Sequence, residues 1–201
     1  PCAAGKYQAD TAQSSCDDAV SGYYSPGTAG GANVASSVTT VATSQIPCAA
    51  GTYQASTART SCNLVAAGYY SNGTITVNGV VETATGMIAC PSGTWQDQTG
   101  QGSCKDADAG YYSEGTTPAE GTATDATSQT ACGAGTWQNE TGQSSCKDAE
   151  AGYYSEGTVG ATGVTVTTIA SSQTPCAAGT YQGTTAQTSC TDATAGSYSN
   201  G

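Results

Sequence analysis

Apolar positions in this chain do not settle into a helical rhythm. Across its 201 residues no segment repeats large apolar side chains at spacings of three and four, and dense Gly and Thr oppose a helix. Single aromatics and β-branched residues instead alternate with polar ones over short runs bounded by Gly, Asn, Ser and Pro, the pattern of short strands and turns. The clearest run is Thr74-Ile-Thr-Val77, Asn78-Gly79, Val80-Val-Glu-Thr83. Asn-Gly between β-branched segments predicts a hairpin with a two-residue turn, because both turn positions need positive φ. The stretches Val34–Val41 and Val164–Ile169 carry similar alternation.

These phrases return at a period of 42 to 46 residues, the mark of a tandem array. Cysteines set the frame as five pairs, each fourteen positions apart: Cys2/Cys16, Cys48/Cys62, Cys90/Cys104, Cys132/Cys146 and Cys176/Cys190. The repeats are 1–47, 48–89, 90–131, 132–175 and the truncated 176–201. Each holds two versions of one phrase. The first is Cys48-Ala-Ala-Gly51-Thr-Tyr53-Gln54 and its relatives, with Trp95 and Trp137 in place of the tyrosine. The second is Ala107-Asp-Ala-Gly110-Tyr111-Tyr112-Ser113 and its relatives. The opening cysteine of the first kind has become Ala19, Val65, Ala107, Ala149 and Ala193 in the second. Between Tyr-Tyr-Ser and the next cysteine the steps are 23, 19, 19 and 21. Their even differences fit a two-stranded frame lengthened one residue per strand.

Composition narrows the class further. There is no Phe and no His, one Met, two Trp, and Leu64 is the sole leucine. Such a chain cannot build one large core, and small units need staples or neighbours. Joining each cysteine to the one fourteen residues on is the economical connectivity, although other pairings stay open on sequence alone. A loop of that length gains roughly 3 kcal/mol from closure in the chain-entropy model. Regular cysteines also suit zinc, but no C-x2-C pair and no His are present. Disulfides point to a secreted or cell-surface location.

A net charge of -11 with only Lys6, Arg59, Lys105 and Lys147 as cations opposes nucleic acid and anionic membrane surfaces alike. No apolar run approaches the length of a membrane span. The chain opens at Pro1-Cys2 without a visible signal peptide and stops inside a repeat, which reads as a window cut from a longer array.

Candidate chemistry is sparse. The absence of His removes Ser-His-Asp and Cys-His arrangements, and no cleft is expected for a carboxylate pair, so the reading is no enzyme and no catalytic residue. Asp106, Asp108 and Glu114, with Asp148, Glu150 and Glu156, raise calcium. The same stretch of repeat 2 lacks carboxylates, so a solvated acidic face is preferred and no metal site or cofactor is assigned. Asn72-Gly-Thr74 and Asn139-Glu-Thr141 are N-glycosylation sequons, with Asn200-Gly201 a third if Thr follows. The stretches Ser36–Thr40 and Thr165–Thr168 suit O-glycans or simply β-strand. Recurrent aromatics read as covers for each module's disulfide and glycine, ahead of a carbohydrate-stacking ladder.

The phrase C-x-x-G-T-[YW]-Q followed by G-Y-Y-S resembles the cysteine-rich ephrin-receptor-like modules, in the style of EGF-like and TNF-receptor repeats. The likeness covers the chain except its Thr/Val-rich inserts. It departs at the second cysteine of C-x-x-C, missing at Ala19, Val65, Ala107, Ala149 and Ala193. The resemblance implies an extracellular architectural role, as in filament or flagellar-hair proteins of algae and protists, and brings no catalytic residues. The expectation is a small disulfide-rich, all-β and turn fold: tandem hairpin modules in an elongated rod. The expected role is a glycosylated, self-assembling building block of an extracellular filament, surface hair or wall layer, partnered by its own copies. The opposing class is the stalk or binding ectodomain of a receptor or adhesin.

Overall fold

A computed structural model of the chain describes residues 1–28, 42–116, 125–158 and 168–201. Among these residues there is no helix. All strands are two or three residues long and pair antiparallel in twos. The chain divides into two compact units, Pro1–Ala89 with Gln98–Cys104, and Cys90–Asp97 with Lys105–Gly201.

Nine of the ten half-repeats, all but the last, are each one loop closed by a minimal ladder. In the first kind, the strand after the glycine pairs with the residues just past the second cysteine: Lys6–Tyr7 with Asp17–Asp18, Thr52–Tyr53 with Asn63–Leu64, and Thr94–Trp95 with Lys105–Asp106. Thr136–Trp137 with Lys147–Asp148 and Thr180–Tyr181 with Thr191–Asp192 complete the set. In the second kind the Tyr-Tyr strand pairs across its insert with the two residues before the next cysteine. Tyr23–Tyr24 meets Ile46–Pro47, Tyr69–Tyr70 meets Ile88–Ala89, Tyr111–Tyr112 meets Thr130–Ala131, and Tyr153–Tyr154 meets Thr174–Pro175. The register is the same in both kinds, so inserts of different length leave the frame unchanged.

The hairpin read from Asn78-Gly79 is present. Ile75–Val77 pairs with Val80–Glu82, with Val77 opposite Val80, and both turn residues take positive φ, 50° and 81°. Val34–Val41 and 164–167 lie outside the described residues, as do Ser36–Thr40 and 165–167 of the O-glycan stretches.

The buried positions are mostly small residues. Cys2, Ala19, Cys48, Val65, Cys90, Ala107, Cys132, Ala149 and Cys176 are all buried. The opening position of these nine half-repeats is thus one kind of buried site, filled alternately by a disulfide sulfur and by an aliphatic group, while Ala193 at the tenth is half-buried. Cys2–Cys16, Cys48–Cys62, Cys132–Cys146 and Cys176–Cys190 are bonded, with Cα atoms 5.7 to 5.8 Å apart, inside the range a disulfide spans. Cys90 and Cys104 are disulfide-bonded as well, and no described cysteine is free.

Candidate functional site

The most repeated geometry in the molecule is a two-bond clasp at the glycine before each aromatic. Gly51 N–H donates to Ser71 O at 2.7 Å, and Gly51 O accepts from Val65 N–H at 3.0 Å. Both partners belong to the following half-repeat. The same pair of bonds recurs at Gly5, Gly22, Gly93, Gly110, Gly135, Gly152 and Gly179, at 2.6 to 3.0 Å. A second link reaches one half-repeat further: Ala58 N–H bonds Ala19 O, Gly100 N–H bonds Val65 O, Gly142 N–H bonds Ala107 O, and Ala186 N–H bonds Ala149 O. These bonds satisfy backbone groups beside the buried openings, which would otherwise be costly to desolvate.

Polar side chains complete the clasp. The buried hydroxyls of Ser25, Ser71, Ser113 and Ser155 each donate to the backbone of the preceding half-repeat, at Lys6, Thr52, Thr94 and Thr136, over 2.8 to 2.9 Å. Each also accepts a backbone N–H two residues on. Buried Gln54 and Gln138 bridge their own loops, donating through Nε2 to Ser61 O and Ser145 O and accepting at Oε1 from the N–H of Ser56 and Glu140. Sequence reasoning registered the serines and glutamines only as recurring letters. Their recurrence directly after an aromatic was the available signal.

Trp95 and Trp137 stand apart from the tyrosines at their register. Each faces a lysine on the paired strand, Lys105 at 4.7 Å and Lys147 at 5.3 Å from the ring centroid. Lys105 also bonds Asp97 at 2.6 Å, which holds the Asp97 carboxyl below its ordinary range. Lys147 bonds Asn139 Oδ1 at 2.8 Å in the equivalent place. The tyrosines of the Tyr-Tyr pairs do not divide into an inner and an outer ring. In three pairs both are half-buried, and in the fourth Tyr153 is exposed at 36% while Tyr154 is half-buried.

Both sequon asparagines are exposed. Asn72 occupies a slot held by Pro26, Glu114, Glu156 and Asn200 in the other repeats, and Asn139 one held by Ala9, Ala55, Asp97 and Gly183. The threonine of the first sequon is, by contrast, a structural position. Thr74 Oγ1 donates to Gly22 O at 2.7 Å and accepts Ala84 N–H at 3.1 Å, and Thr158 makes the same two bonds, to Gly110 O and from Ala170 N–H. Thr141 likewise has a counterpart in every repeat, at Thr11, Thr57, Thr99 and Thr185.

Among the described residues, no three acidic or cysteine side chains gather as a metal site, so Asp106, Asp108 and Glu114 and their counterparts in the next repeat are not brought together. The concavity bounded by Gln8, Thr11, Gln13, Ser14 and Thr43 is open, and Pro1, Ala9 and Ala42 line it beside these polar groups. No protein-family model matches this chain, and no curated protein matches it significantly.

Proposed function

We propose that this chain is a structural building block of an extracellular filament, surface hair or wall layer, glycosylated at Asn72 and Asn139 and assembling with its own copies. The observation that carries this reading is the clasp. The clasp glycines and the buried Ser25, Ser71, Ser113 and Ser155 are spent on joining neighbouring half-repeats, while Asn72 and Asn139, in slots that vary between repeats, are exposed. Repeated linkage with interchangeable outer residues suits load-bearing continuity, since repeat arrays sum their stability over units and interfaces. A receptor or adhesin face would instead concentrate unusual aromatic or charged residues in one repeat. The disulfides belong to an oxidising compartment, and the likeness to ephrin-receptor-like modules favours an extracellular setting.

Mass spectrometry of the native protein without reduction is expected to find five disulfides and hexose-type mass on Asn72 and Asn139. Electron microscopy of the same material is expected to show uniform fibrils. Unmodified asparagines with free thiols would remove the extracellular reading, and dispersed single particles would favour the stalk.

A further inference from the structure

One long-range side-chain bond pins the backbone just after each second-kind opening. Gln45 Oε1 accepts the Val20 N–H at 2.8 Å, Gln129 Oε1 the Asp108 N–H at 2.6 Å, and Gln173 Oε1 the Glu150 N–H at 2.7 Å. In repeat 2 the corresponding residue is Met87, the chain's single methionine, and its Sδ lies 3.3 Å from Ala66 N. The acceptor position is therefore kept, but a thioether fills it, and a thioether accepts weakly. Met87 is 40% exposed, so a small oxidant in solution meets its side chain.

We propose that Met87 is a peroxide-modification site whose sulfoxide takes over the acceptor role that glutamine holds in the other repeats, so that oxidation tightens repeat 2. The usual effect of methionine oxidation is disruption, because a polar group is forced into an apolar place. Here the place already faces an N–H donor and solvent. The oxidant is a hydroperoxide. A sulfur lone pair attacks its terminal oxygen, an S–O bond forms as the O–O bond breaks, and sulfur is oxidised by two electrons. The leaving oxygen takes the proton and departs as water or alcohol. The unbranched methionine side chain then turns to bring the new oxygen to the Ala66 N–H, an adjustment its three rotatable bonds allow. Reduction by a methionine sulfoxide reductase returns the thioether.

The test is amide hydrogen exchange of the intact chain before and after hydrogen peroxide, with peptide mass spectrometry to confirm one oxygen on Met87. Exchange at Ala66 is expected to slow about two- to tenfold, the effect of one added hydrogen bond of ordinary net strength. Met87→Gln should show that slowing without peroxide. Met87→Leu should exchange at Ala66 as fast as the untreated chain or faster, and should not respond to peroxide, which separates the effect from tryptophan oxidation. Unchanged or faster exchange at Ala66 in the fully oxidised chain would overturn the proposal. So would a Met87→Gln chain no better protected than the parent.

Discussion

Gly51 and Gly79 share one backbone conformation, φ +81°, and differ in what surrounds them. A Cβ on Gly51 would sit 2.0 Å from Gly100 O, whereas one on Gly79 would meet nothing within 4 Å. Gly79→Ala therefore carries only the left-handed penalty, about 1–2 kcal/mol. Gly51→Ala adds backbone displacement, at least another 1–3 kcal/mol, and breaks the Ser71 and Val65 bonds as the glycine moves. Urea unfolding of the two variants should separate them by that margin, and equal losses would mean the clasp is not a close approach. The glycine before each aromatic was visible in the sequence as a recurring position. What it approached was not, because the Gly51 contact comes from Gly100, 49 positions along a chain whose inserts vary in length. Ser71 and Gln138 were harder still. Hydroxyl and amide residues ordinarily face water, and only their place between two backbone segments shows that they are buried.

At the level of the element, each first-kind loop is closed twice, by its two-residue ladder and by a disulfide. The second-kind loop keeps the ladder and the buried opening but has Ala or Val there. A disulfide is thus an added constraint on an already defined loop, and its removal should weaken the loop without redirecting it. Cys132→Ala with Cys146→Ala leaves at position 132 the residue that Ala149 already supplies at its own opening. The expected cost is about 3 kcal/mol at unchanged far-ultraviolet circular dichroism. Loss of the ladder signal would show that the bridge specifies the loop. Sequence reasoning reached this equivalence by aligning cysteine with alanine, and it reached the Asn78-Gly79 hairpin through turn chemistry. It did not pair Tyr23–Tyr24 with Ile46–Pro47, because strands of two residues carry too little pattern to show a partner beyond an insert.

For the whole molecule the governing quantity is charge. The net charge is -11, and Lys6, Lys105 and Lys147 are each engaged with a carboxylate of their own chain, so little cationic surface is left to attract an acidic copy. Self-assembly, if it is the function, works against repulsion and must draw on apolar and backbone contacts. The hairpin Ile75–Glu82 supplies both, with Ile75, Val77, Val80 and Val81 exposed and, among the described residues, no third strand on the outer edge of either strand. Screening should then favour assembly. The range of exposed charges shrinks from about 30 Å at 0.01 M salt to about 3 Å at 1 M, so association followed by sedimentation should rise across that range. It should rise again as acid brings the chain toward its isoelectric point near 4.1. Val81→Glu, which places a further negative charge on the hairpin, should lower association at every salt concentration while leaving the disulfide loops intact. Association that falls with salt would instead mean that copies meet through ion pairs, for which this surface offers few cations, and would direct the search to a cationic partner.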